Sequence, residues 1–302
     1  MFEFWVLITF TAALFQTWRT ALQQRLRAEV SVNAAGFVRY FYGVPMGILL
    51  VTIAYAYTAQ ALPALSPRFL AMSAAGGLMQ IFGTSLLIMA FGYRNFAVGT
   101  AYSKTEAAQG AVVAWIILDE VLTPLSISGI AVGVVGVLVL SLGGRGLKPR
   151  DIIAATFQPA ALCGLGAGFF FANATVFIKD AILMLPGQGI VPRALFTLLV
   201  TNILQSIMLG AWLAMRERDQ LRASLRTWRT SAWVGTLSSL GSGCWFTGFA
   251  MAPVALVRAV GQVEMIFTLA FSRFYLKERT RAIDVAGLVL IVGGVLLVLA
   301  GR

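Results

Sequence analysis

Histidine is absent from this sequence, cysteine is nearly absent, and charge is scarce. The 302 residues contain no His, two Cys and 12 Asp or Glu, and only 12% of the chain is charged. A soluble domain has about a quarter of its residues charged, so this composition argues against a soluble fold. Cys163 and Cys244 stand alone in apolar runs, where free cysteine is usually a small buried residue. We therefore expect no metal site and no cofactor.

Familiar catalytic and nucleotide-binding motifs are also missing. The sequence has no P-loop, no His-Glu-x-x-His and no Gly-x-Ser-x-Gly. These absences argue against an ATP-driven pump and against common membrane hydrolases, and we expect the protein not to be an enzyme. The net charge of +11 does not indicate a nucleic-acid partner, because basic residues of membrane proteins mainly set topology and contact lipid headgroups.

Long apolar runs are the main feature that is present. Hydrophobic residues make up 59% of the chain, and a spanning helix needs about 20 mostly apolar residues. The first run has no basic segment before it and no small-residue cleavage site, so we interpret it as a span. The sequence predicts an all-α membrane protein with ten transmembrane helices at 4–24, 33–57, 67–91, 96–118, 122–143, 156–178, 190–214, 231–251, 254–276 and 281–300.

The two halves of the chain resemble each other at an offset of 158 positions (264 minus 106). Five spans in each half is an odd number, so the second copy enters the membrane with opposite orientation, a construction typical of secondary transporters. We predict a first five-span repeat at 1–143 and an inverted second repeat at 152–302. The aligned acids and glycines are Glu106 with Glu264, Glu120 with Glu278, Gly129 with Gly287 and Gly136 with Gly294.

Both repeats end in a way that resembles a known family. Each has a small-residue helix with a mid-helix Glu, a closing Glu, and then a glycine-rich last helix. Together with Trp18 in the first span and Arg39-Tyr40 in the second, this pattern resembles the EamA-type ten-span members of the drug/metabolite transporter superfamily. Ala107 and Met265 stand where that family has proline after the mid-helix Glu. The resemblance covers essentially the whole chain.

The resemblance implies a secondary active transporter of the cell inner (cytoplasmic) membrane. It would move a small polar or amphipathic metabolite by alternating access, with export favoured over uptake and with proton coupling as one option. A facilitator or exchanger, a flippase for lipid-linked carriers, and a non-catalytic subunit of a membrane complex remain as alternatives. The expected partners are a small-molecule substrate and the lipid bilayer, without nucleic acid, and the protein would be a monomer or a weak homodimer.

The candidate site residues are polar side chains that fall inside predicted spans. A carboxylate in hydrocarbon is costly, so Glu106 and Glu264 should face a polar space or another helix. Lys104 is about 200° around a helix from Glu106, so we expect it to contact another helix. The candidates for substrate or proton binding are Glu106, Glu264, Lys104, Tyr102, Arg39, Arg258, Gln262, Gln80 and Asn173.

The repeat relates Glu106 to Glu264, so both carboxylates are expected to face one central cavity. Two carboxylates in a partly dehydrated space disfavour each other's charge, and we expect the pair to exchange protons during transport. The alternative is that both acids only brace the helices. Arg39 and Arg258 have a second interpretation too, because both lie near span ends and could reach the headgroups.

The remaining acids near span ends are interpreted as structural. Glu120 and Glu278 lie where one predicted helix ends and the next begins, so each is expected to cap the backbone of the following helix. Asp284, near the start of the last span, is expected to interact with the dipole of that helix.

Basic residues are distributed unevenly between the predicted loops. The positive-inside rule places the richer side in the cytoplasm and both termini outside, whereas EamA-type proteins more commonly have both termini inside. The poorer side has Arg68, Lys179, Arg193 and Arg302. The richer side has Arg19, Arg25, Arg27, Arg94, Arg145, Lys148, Arg150, Arg216, Arg218, Arg222, Arg226, Arg229, Lys277, Arg279 and Arg281.

Overall fold

A computed structural model describes residues 3–26, 29–90, 93, 102–142, 157–187, 189–274 and 282–301. In these ranges the chain forms helices and turns, without a strand. In chain order the helices are α1 (Phe4–Leu26), α2 (Val32–Phe41), α3 (Gly43–Thr58), α4 (Pro67–Ala90), α5 (Glu106–Leu118), α6 (Pro124–Leu142), α7 (Pro159–Met184), α8 (Ile190–Arg216), α9 (Arg218–Arg226), α10 (Trp228–Met251), α11 (Val254–Gly261), α12 (Glu264–Phe274) and α13 (Ala282–Ala300).

Four helical segments of the described chain are long and apolar enough to cross a membrane. They are Val32–Thr58, which joins α2 and α3, and the helices α4, α7 and α8. Helices α5, α6 and α13 contain shorter apolar segments. The protein is therefore an all-helical, multi-pass membrane protein in the part described. The count of ten spans and the inverted repeat stay predictions.

The chain forms two compact units that differ from the two sequence repeats. Unit 1 consists of Met1–Ile81 and Ala174–Ala252, and unit 2 consists of Phe82–Asn173 and Pro253–Arg302. Each unit therefore takes residues from both halves of the sequence. The repeats predicted at 1–143 and 152–302 concern similarity along the chain, and the units concern proximity in space.

Unit 1 is built around α8, which packs against α2, α3 and α10, while α1 packs along α10. One part of its core is an aromatic and aliphatic cluster that includes Tyr55, Phe69 and Phe196. The ring of Phe196 lies 6.0 Å from that of Phe69 and 6.2 Å from that of Tyr55. Ring pairs at such separations add to the energy of apolar burial.

Unit 2 contains an extensively packed helix pair, α6 with α13. The two backbones nearly touch, because a Cβ atom added to Gly294 would lie 2.6 Å from the backbone N of Gly133, and one added to Gly129 would lie 2.7 Å from the N of Val298. Small residues spaced along a helix permit this approach, and close packing replaces the hydrophobic effect as the source of stability in lipid.

Two expectations from the sequence need correction. Lys179 is not a loop charge: α7 continues to Met184, and the Nζ of Lys179 is buried and donates to the carbonyl O of Ala252 at 2.8 Å. Ala252 follows the last residue of α10, where helix carbonyls lack intrahelical partners, so a buried amine is accommodated there. Cys163 and Cys244 are free but only partly buried.

Candidate functional site

Two helical stretches of unit 2 are interrupted just before an acidic residue. Tyr102 and Ser103 are helical, Lys104 and Thr105 form a turn, and α5 begins at Glu106. The N–H of Thr105 donates to the carbonyl O of Tyr102 at 3.2 Å, an i to i−3 bond that tightens the chain. The hydroxyl of Thr105 donates to the same carbonyl at 2.7 Å. Such local bonds compete with the regular helix.

The second interruption repeats the first. Helix α11 ends at Gly261, Gln262 and Val263 form a turn, and α12 begins at Glu264. The N–H of Gln262 donates to the carbonyl O of Ala259 at 3.1 Å, again from i to i−3. Neither break contains proline, so these helices are interrupted without the residue that would enforce a kink. Glycine before the turn lowers the helix propensity at this point.

The acids at the two breaks form ion pairs that cross between the halves of the sequence. The Nζ of Lys104 lies 2.7 Å from Oε2 of Glu264, and Nη1 of Arg258 lies 3.4 Å from Oε1 of Glu106. The four side chains are between 11% and 14% exposed. Lys104 thus contacts another helix, as the helical geometry predicted. Arg258 lies in a buried ion pair of unit 2.

The negative charge of each carboxylate is stabilised by its position in two ways. Glu106 and Glu264 are the first residues of α5 and α12. The N-terminus of a helix carries partial positive charge, which stabilises a carboxylate in the first turn. A cation from the other half of the sequence adds a direct contact. The four groups together carry no net charge, with one lysine and one arginine against two glutamates.

Gln262 lies in the second turn and is 3% exposed. Within the described residues neither its amide nitrogen nor its amide oxygen has a hydrogen-bond partner. Its side chain packs against Gly133 of α6, where an added Cβ would collide with the amide oxygen. At the repeat offset Gln262 corresponds to Lys104 (262 minus 104 is 158).

The other candidate residues have described partners outside this cluster. In unit 1, the Nε of Arg39 donates to Oγ of Ser238 at 2.9 Å, and Gln80 accepts a bond from Gln205 at 2.9 Å. The amide of Asn173 donates to the carbonyl O of Phe169 in its own helix at 2.9 Å. The candidates that unit 2 brings together at or beside the two breaks are Tyr102, Lys104, Glu106, Arg258, Gln262 and Glu264. The described residues contain no group of three or more His, Cys, Asp or Glu positioned to hold a metal ion.

Glu120 caps a helix that is distant in sequence. Its Oε2 accepts a bond of 2.8 Å from the N–H of Val254, the first residue of α11. The carboxylate therefore ties the start of α11 to the end of α5. Glu278 and the side chain of Asp284 lie outside the described residues.

Replacing Glu120 by Ala should lower the free energy of unfolding by about 0.5–2 kcal/mol, because the N-terminus of α11 loses its side-chain acceptor. The midpoint of thermal unfolding in detergent measures this change. Asp119→Asn is the matched control, since Asp119 is exposed and removing its charge leaves the cap in place. Equal effects of the two substitutions would show that charge, and not the cap, is responsible.

Comparisons with known proteins find one similar family and solved structures of similar fold. Residues 158–300 match the model of the EamA-like transporter family. No curated protein matches the sequence. One solved structure, described as "Crystal structure of protein", covers 99% of this chain and 97% of its own, with a TM-score of 0.74 and 15% sequence identity. That likeness concerns the fold alone. The resemblance seen in the residues is thereby confirmed for residues 158–300, which are similar to the EamA-like transporter family.

Proposed function

We propose that the protein is a secondary active transporter that exports a small polar or amphipathic metabolite across the cytoplasmic membrane. The observation that carries the proposal is the pair of interrupted helices with crossed ion pairs in unit 2. Ionisable residues inside membrane segments are costly and usually serve a substrate or ion pathway. Interrupted helices that present charge and free backbone groups are a recurring construction of transporter binding sites.

The crossed pairs provide a way to couple a proton to a substrate. Protonation of Glu106 would remove its charge and weaken its contact with Arg258, which lies 3.4 Å away. A cationic or zwitterionic substrate would compete with that proton, because its positive group binds the ionised carboxylate and not the protonated one. Lys104 and Glu264 offer the same exchange at the related position. A proton entering from outside would therefore displace the substrate, and a substrate binding from the cytoplasm would displace the proton, which supports proton-coupled export.

Alternating access between two inverted halves is the second element of the proposal. At the offset of 158, the bounds of α6, 124 and 142, become 282 and 300, which are the bounds of α13. The first residue of α5, 106, becomes 264, the first residue of α12. Helices that begin and end at equivalent positions in both halves support a repeat. In an inverted repeat the two halves can exchange conformations, which gives one state open to each side of the membrane.

Flux measurements in proteoliposomes test the proposal. A thermal-shift screen of the purified protein against metabolites first supplies the solute, because a ligand that binds the folded state raises the unfolding midpoint. We expect the solute to accumulate when a proton gradient is imposed, without ATP. Flux that is independent of the gradient would indicate a facilitator or exchanger. Binding without net flux of any hit would overturn the transport proposal.

The distribution of basic residues predicts the orientation of the protein in the membrane. With Lys179 buried, the poorer side keeps Arg68, Arg193 and Arg302, so the bias toward the other side persists. We expect a cysteine introduced by Arg222→Cys to be protected from membrane-impermeant thiol reagents in intact cells and labelled after permeabilisation. Cys163→Ala and Cys244→Ala remove the native thiols, and Arg68→Cys is the matched control that should label in intact cells. The reverse pattern would place both termini in the cytoplasm.

A further inference from the structure

Helix α9 belongs to unit 1 and contacts the rest of that unit along one edge. The carboxylate of Glu217, just before α9, accepts bonds of 2.6 Å from the hydroxyl of Ser31 and the amide of Asn33. The Oε1 of Gln220 accepts a bond of 2.7 Å from the N–H of Ser31. Ser224, one turn later, is fully buried. These contacts lie at the N-terminus of α2 and fix the rotation of α9 about its axis.

The opposite edge of α9 is exposed and basic. Arg222 and Arg226 are one turn apart and both point outward, beside Leu225, whose side chain is 47% exposed. The exposed acid on this edge, Asp219, lies 3.4 Å from Arg222. Such an ion pair between exposed groups is worth about 0–1 kcal/mol, so it does not prevent Arg222 from binding an anion.

Aromatic and basic residues flank α9 on both sides. Trp212, near the end of α8, and Trp228, at the start of α10, are 46% and 56% exposed. The guanidinium of Arg216 lies 5.8 Å from the ring centre of Trp212, and that of Arg229 lies 5.6 Å from the ring centre of Trp228. Tryptophan is enriched at the boundary between lipid chains and headgroups, where arginine can reach the phosphates. Helix α8 is long and apolar enough to cross the membrane, so α9 begins where that segment ends.

We propose that this surface, formed by Arg216, Arg222, Arg226, Arg229, Trp212 and Trp228, binds the phosphate groups of anionic phospholipids. The surface has four arginines and one exposed, weakly paired acid. The partner is therefore anionic, and the neighbouring tryptophans place it at the lipid headgroups. A basic residue near an anionic membrane surface contributes about 1 kcal/mol, so the four together favour anionic over neutral lipid. Bound lipid would hold the segment between α8 and α10 against the membrane.

Nanodiscs of defined composition test this site. We expect the purified protein to unfold at a higher temperature with phosphatidylglycerol than with phosphatidylcholine alone, and the difference to shrink as salt screens the headgroup charge. Equal midpoints in the two lipids at low salt would overturn the proposal. This measurement uses the unmodified chain, so it does not depend on whether any variant folds.

Substitution then locates the site. Arg222→Gln with Arg226→Gln should weaken phosphatidylglycerol binding by about 30-fold, or about fivefold per arginine, as measured by native mass spectrometry or lipid titration. Arg226→Gln alone is matched with Arg68→Gln, because both remove one exposed arginine but Arg68 lies outside this surface. Losses of equal size from these two single substitutions, or no loss from the double variant, would show that α9 is not the binding site.

Discussion

The Glu106→Gln variant should lose all solute flux driven by a proton gradient. Glutamine keeps the size of the side chain and can still accept a bond from Arg258, which lies 3.4 Å from the carboxylate. It cannot take up or release a proton, so exchange between proton and substrate stops. Glu264→Gln should have an equal or milder effect. Flux at a normal rate with unchanged pH dependence in both variants would show that the acids only brace the helices.

Loss of flux must be separated from loss of folding. Removing one partner of a buried ion pair costs about 3–5 kcal/mol, because the other charge stays buried without compensation. Glu106→Gln with Arg258→Gln removes both charges and should unfold near the normal temperature while still failing to couple to a proton gradient. Recovery of coupled flux in this double variant would contradict a role for the carboxylate itself.

Exchanging the two charges of the Lys104–Glu264 pair distinguishes the need for an ion pair from the need for a carboxylate at position 264. Lys104→Glu with Glu264→Lys restores opposite charges on the same two helices, whose charged atoms are 2.7 Å apart in the native pair. We expect the unfolding midpoint to recover relative to either single variant, because contacting charges are not additive. Flux should not recover, since the carboxylate is then absent from the first turn of α12. Recovery of both would assign this pair a purely structural role.

Adjacent glycines in α13 should respond in opposite ways to the same substitution. A Cβ on Gly294 would lie 2.6 Å from the N of Gly133 and 2.7 Å from the O of Gly129, and both are backbone atoms that cannot rotate away. Gly294→Ala must therefore separate α6 from α13, and overpacking of this kind costs about 1–3 kcal/mol. We expect a clear drop in the midpoint of thermal unfolding and a lower yield of folded protein.

Gly293→Ala is the matched control for that substitution. A Cβ on Gly293 has no atom within 4 Å, and alanine has a helix propensity better than glycine by about 1 kcal/mol. The Gly293 variant should therefore be as stable as the native protein or slightly more so. Similar destabilisation by both substitutions would mean that glycine itself, and not the contact with α6, matters in this helix.

Apolar runs located several of the described helices but not their interruptions. Spans predicted at 67–91 and 190–214 correspond to helices at Pro67–Ala90 and Ile190–Arg216. The predicted span 254–276 contains a turn at Gln262 and Val263, and no proline at this point of the sequence indicates it. Hydropathy averages over about 19 residues, so a two-residue turn within an apolar run does not register. In the sequence, the only sign of the two equivalent breaks is a weak helix former before each turn. These residues are Ser103 and Gly261, which are related by the repeat offset.

The candidate residues were chosen from the sequence, and their pairing was found in the structure. Helical geometry showed that Lys104 could not contact Glu106 on one face, and Lys104 does contact Glu264. The pairing of Arg258 with Glu106 was missed because position near a span end favoured the headgroups equally. The partners of Glu120 and Lys179 were not predicted for a common reason: each bonds a backbone group of a segment distant in sequence. A pattern along the chain does not contain such contacts.

The crossing of the ion pairs also sets an order of events during synthesis. Lys104 is made 160 residues before Glu264, and Glu106 is made 152 residues before Arg258. At about 5–20 residues per second, the ribosome needs about 8–30 s to supply the missing partners. During that interval the first helix break carries charges without their final partners, so it must wait beside water or the insertion machinery. The last third of the chain therefore supplies the ion-pair partners of residues that were synthesised much earlier. A chain truncated after α10 would lack Arg258 and Glu264, so neither ion pair could form.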